Sequence, residues 1–108
     1  MITVSKIDRK DLGALRVLID WDDNRKLYVS SRDLSVMLGR PVYPYLVQYD
    51  DCIPTPKEED GLVYFDVQSI LLALSRDSDV NIQRVKNWIE KDILPSIQAM
   101  PMGTPLKL

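Results

Sequence analysis

The run Leu15-Arg16-Val17-Leu18-Ile19, the turn formers at residues 20–25, and then Leu27-Tyr28-Val29 constrain this chain more than any other stretch. Branched and aromatic side chains suit a pleated surface, whereas Asp and Asn satisfy turn backbone locally. Two such segments around such a turn read as a β-hairpin. Upstream, residues 1–13 fit two readings. Ile2-Thr3-Val4 suits an edge strand, and the Asp/Lys/Arg cluster after it suits a loop or a short helix.

Ser30 begins a helix, with Asp33 three residues on as in a capping box. Leu34, Met37 and Leu38 share one face, and Gly39 supplies the stop. Residues 41–46 do not form a long helix, because Pro44 would sit inside it without an N–H to donate. The same proline, with Pro41, argues against a helix-turn-helix over residues 31–46. A second hairpin is expected around residues 57–61, with Cys52-Ile53 on one side and Leu62-Val63-Tyr64-Phe65 on the other.

Asp66 caps a helix over residues 67–75 whose core face is Val67, Ile70, Leu71 and Leu74. Leu72 and Ala73 lie off that face, so this helix is apolar nearly all round. Such a helix is buried on two sides or covered by another subunit, and a homo-oligomer is expected. The last helix spans about residues 81–94. Ile82, Val85, Ile89 and Ile93 form its buried stripe, with Trp88 at the margin. Pro95 cannot donate to the carbonyl of Lys91, so a kink or stop is expected there. Residues 99–108 read as a tail. The order of elements, two hairpins or strand pairs with three main helices, defines an α+β chain.

Composition narrows function by what is missing. The 108 residues include no histidine and one cysteine, Cys52. Histidine-dependent nucleophile pairs and the usual zinc or haem ligand sets are therefore out of reach. No carboxylate pair is placed by motif for acid–base or metal work, and no glycine-rich loop cradles phosphate. We expect no enzyme activity, no cofactor and no metal. With no apolar run of membrane-spanning length and no signal-like N-terminus, a cytosolic location without membrane contact is expected. The net charge of −2 is uneven, with −5 carried by residues 46–66 and small positive values on either side.

Several motifs resemble the BRO-N domain family of phages, prophages and large DNA viruses. Leu27-Tyr28-Val29-Ser30-Ser31-Arg32-Asp33-Leu34, running into Met37-Leu38-Gly39, is similar to the family's early strand-to-helix motif. Gly61-Leu62-Val63-Tyr64-Phe65-Asp66-Val67 sits where that family passes from a strand into its second helix. Trp88-Ile89-Glu90-Lys91-Asp92-Ile93-Leu94-Pro95-Ser96-Ile97 is similar to its closing signature. The likeness covers residues 15–98, with 1–14 as an N-terminal segment. Tyr28 stands alone where relatives carry an aromatic pair, and many relatives continue into a second domain. The resemblance implies a regulator in the cytoplasm of a bacterial host. Antirepressors of this kind bind a phage repressor or another regulatory protein; the alternative is sequence-specific DNA binding.

Two sets of residues are candidates for contact. Tyr43, Tyr45 and Tyr49 lie among prolines beside Asp50 and Asp51. Loop tyrosines bury much area at low entropy cost, and an acidic run suits a basic partner surface. Equally, the rings cover the chain's own core and the acids form a solvated loop. Arg84, Asn87 and Lys91 line one side of the last helix and suit phosphates or base edges. Glu90 and Asp92 dilute their positive field. Trp88, Ile89 and Ile93 are read as core.

Overall fold

The computed structural model describes residues 1–101; the rest of the C-terminal tail, including Gly103 and Pro105, lies outside the described residues. Five strands form one antiparallel sheet in the order β1-β2-β3-β5-β4. β1 (Ile2–Arg9) pairs along its whole length with β2 (Gly13–Asp20), from Ile2 opposite Asp20 to Arg9 opposite Gly13. Ile2-Thr3-Val4 therefore opens an edge strand as expected, and the charged residues after it continue that strand to Arg9 and do not form a loop or helix. β2 returns into β3 (Lys26–Ser30) with Val17 opposite Val29, as the hairpin pattern requires. Asn24 and Arg25 turn the chain at φ 53° and 58°.

The second hairpin is shifted from the expected one. Its first strand, β4, is Pro56–Glu59 and not Cys52-Ile53; it pairs with β5 (Leu62–Asp66), Glu59 facing Leu62. Asp60 and Gly61 both have positive φ, 51° and 77°. That is the backbone of a two-residue hairpin turn, whose twist matches the strands, and it dictates the register. Cys52 instead ends a single 3-10 turn (Asp50–Cys52) and is buried in the core.

Helices cover one face of the sheet. In α1 (Ser31–Leu38) the Ser30 hydroxyl accepts from the Asp33 N–H at 3.2 Å, and Gly39 at φ 72° closes the helix. Only half of the capping box forms. The Asp33 carboxylate turns to β2, where it accepts from the Arg16 N–H at 2.9 Å. α2 (Val42–Val47) is a six-residue helix with Pro44 in its first turn. There the backbone N–H has no helical partner anyway, so proline is tolerated. α3 (Val67–Ser75) starts on Asp66 as expected.

The final helix does not stop at Pro95. α4 (Val80–Trp88) runs through one wide π turn (Ile89–Ile93) into α5 (Leu94–Ala99). Within the wide turn the Leu94 N–H reaches the Ile89 carbonyl, and the Ser96 hydroxyl donates to the Asp92 carbonyl at 2.7 Å. Val85, Ile89, Ile93 and Ile97 are all buried, and they follow one another at four-residue spacing. Each four-residue step overshoots an α-helical turn by about 40°. A wide turn in the middle offsets that drift and keeps all four facing the sheet.

The core joins Leu15, Val17 and Ile19 of β2 to Leu34, Leu46, Ile70, Leu74, Trp88 and Ile89. On the sheet's other face Leu18, Tyr28 and Tyr64 are buried in a smaller cluster. The Lys26 and Lys57 ammonium groups lie 5.4 and 5.1 Å from the Tyr28 ring centre, and Lys57 is held by Asp20 at 2.8 Å. Long cationic stems thus cover the sheet where no helix does. Among the described residues no helix is long and apolar enough to cross a membrane.

Candidate partner-binding surface

The three tyrosines do not share one open surface. Tyr45 points inward, 6% exposed, and its hydroxyl donates to Asp77 at 2.9 Å with the Arg40 guanidinium 5.6 Å from its ring. Burial, reinforced by the Asp77 carboxylate, raises the Tyr45 pKa well above a normal phenol. Tyr49 is half-buried beneath the Arg76 guanidinium, 5.0 Å from its ring centre. Only Tyr43 stays open, 52% exposed.

Asp50 and Asp51 are exposed on the 3-10 turn. Arg76, at the end of α3, grips Asp51 through two guanidinium contacts. That hydrogen bonding holds the Asp51 carboxyl down at about 2, from 3.8. A carboxyl held low in the folded state stabilises above its unfolded pKa, and that contribution fades as pH falls. Acid unfolding between pH about 4 and 2 should therefore be shallower in Asp51→Asn than in wild type. Equal slopes, followed by tryptophan fluorescence, would contradict the pairing.

Tyr43 does border the sheet. Its ring lies 5.9 Å from that of Phe65 on β5, and Val47 is one turn along the same side of α2. Two residues before Phe65, on the same face of β5, Val63 stands opposite Glu58. Tyr43, Val47, Ile53 and Val63 all expose large apolar side chains. Asp50, Asp51 and Glu58, all exposed, contribute negative charge from the same turn and hairpin. Ile53, Val47 and Val63 escaped the sequence reading because each looks like an ordinary core residue. A hint lay in α2, where Val42 and Leu46 already fill the inward side and leave Tyr43 and Val47 outward.

Arg84, Asn87 and Lys91 do lie together, around a shallow depression of about 280 Å³. Arg9 of β1, with its guanidinium 6.0 Å from the Trp88 ring, joins them there, as does Asp92. Asp11, in the β1–β2 turn, pairs with both Arg9 and Arg84. Burial acts to raise the Asp11 pKa, but its backbone hydrogen bond and the two arginines outweigh this and hold it low. Arg9 and Asp11 were invisible as site residues because a strand pairing carries them there from far along the chain. Among the described residues no group of three or more carboxylate or thiol side chains is placed to hold a metal ion. Comparison with family models, curated proteins and solved structures finds no match to this chain.

Proposed function

We propose that this chain is a non-enzymatic regulator of the antirepressor type, which binds a repressor protein and relieves transcriptional repression in a bacterial cytoplasm. The observation that carries this reading is the set of exposed apolar side chains Tyr43, Val47, Ile53 and Val63, with Asp50, Glu58 and the Arg76-paired Asp51 exposed on the turn after α2 and on β4. A repressor's DNA-binding surface is basic, so an acidic, apolar surface is its electrostatic and hydrophobic complement. Likeness of residues 88–97 to the BRO-N closing signature supports the same reading. Binding a DNA-incompetent form of the repressor would draw the population away from the operator.

The test is a gel-shift titration of a repressor encoded beside this gene, bound to its operator. Wild-type protein should release the operator. Tyr43→Ala and Ile53→Asp should each need about tenfold more protein, since a buried anchor contributes about 1–2 kcal/mol. Circular dichroism checks that both variants stay folded. If no co-encoded repressor is displaced, the proposal is lost.

Direct DNA binding is the second reading, favoured by the convergence of Arg9, Arg84, Asn87 and Lys91 on one depression. Against it, Asp11 pairs with both arginines and offsets one of their two charges. This reading requires DNA affinity that falls steeply with salt and drops in Arg84→Ala or Lys91→Ala.

A further inference from the structure

The two edges of the sheet are built differently. β4 has four residues and starts with Pro56, two devices that discourage pairing with another strand. β1 has eight residues, no proline, and branched side chains at Ile2, Thr3, Val4 and Ile7. Trp21 donates its backbone N–H to the Met1 carbonyl at 3.0 Å. By antiparallel alternation, the backbone groups of Ile2, Val4, Lys6 and Asp8 then point away from β2. β1 ends the sheet, and no strand among the described residues pairs with that side.

We propose that β1 pairs antiparallel with β1 of a second copy, about a two-fold axis through Ile7, joining two sheets into one. Directly opposed residues of an antiparallel pair lie on the same face, so the axis must pass through a residue. An axis through Lys6 would set Lys6 against itself. One through Ser5 would oppose Lys6 to an apolar Val4, and Asp8 to Ile2. The axis through Ile7 places Lys6 opposite the partner's Asp8 and Asp8 opposite the partner's Lys6. Among these three registers only this one is self-complementary in charge, and opposite charges facing across strands stabilise the pair. Val4, 42% exposed, then lies beside the aliphatic stem of the partner's Lys10.

Light scattering after size exclusion, across a concentration series of the full chain, tests this. Wild type should give a dimer mass at high micromolar concentration. Lys6→Glu and Asp8→Lys each turn two attractions into two repulsions, which should raise the dimer Kd by about tenfold or more. The double variant Lys6→Glu/Asp8→Lys should restore dimerisation. Lys6 and Asp8 are exposed, and circular dichroism confirms that the single variants remain folded. Leu72→Lys, which charges the apolar groove between α3 and α4, should leave the dimer intact. A wild type monomeric throughout, single reversals without effect, or a dimer abolished by Leu72→Lys would each overturn the proposal.

Discussion

Trp88→Ala is expected to lower the unfolding free energy by about 3–5 kcal/mol, as large-to-small changes at buried aromatics do. The indole is 3% exposed and belongs to the main core cluster, where α4 meets the sheet. Removing it takes a large apolar area out of the core and leaves a cavity that the surrounding side chains only partly close. A domain of this size has a total stability of roughly 5–15 kcal/mol, so the variant should sit near the limit of folding. Urea unfolding followed by the remaining Trp21 measures this directly. Trp88→Phe, which keeps most of the ring, should lose much less. A Trp88→Ala variant within about 1 kcal/mol of wild type would mean the indole is not packed as described.

Asp66→Ala should cost about 2–3 kcal/mol, more than an ordinary helix cap. The carboxylate is 6% exposed and serves two segments at once. One oxygen accepts from the Thr55 N–H at 2.6 Å, tying down the segment before β4. The other accepts from the Ser69 N–H at 3.1 Å and the Ser69 hydroxyl at 2.8 Å, starting α3. Alanine would leave the Thr55 and Ser69 N–H groups without partners in a site where water enters poorly. Asn keeps one acceptor oxygen but offers an amide where the second is needed, so Asp66→Asn should fall between the two. Amide exchange should accelerate at Thr55 and Ser69 first. Equal protection of those amides in wild type and Asp66→Ala would refute the double role.

Much of the fold was readable from short-range chemistry. Ser30 and Asp66 cap helices because their oxygens reach N–H groups three residues ahead. Gly39 and the Asp60-Gly61 pair adopt positive φ at little cost. The strand order and the pairing of β1 were not readable in this way. Ile2-Thr3-Val4 reads locally as an edge strand, but nothing local carries that strand on through the charged residues to Arg9, because its partner, residues 13–20, supplies the hydrogen bonds. The candidate site was half legible for the same reason. Tyr43, Tyr45 and Tyr49 look alike in sequence, yet one is open, one is buried on Asp77 and one lies under Arg76.

By itself, the sequence determined the α+β class, the first hairpin, the helix caps at Ser30 and Asp66 and the inward stripe of the last helix. Each of these is set by side chains acting on backbone within a few residues, or by apolar spacing along one element. Only the tertiary structure decided that β1 closes one edge of the sheet, that Asp33 leaves its cap for Arg16, and that Arg9 meets Arg84 across Asp11. It also decided that the helix passes Pro95 through a wide turn. These outcomes depend on groups distant in the chain competing for the same donors, charges and buried area, and that competition is resolved only when the elements pack.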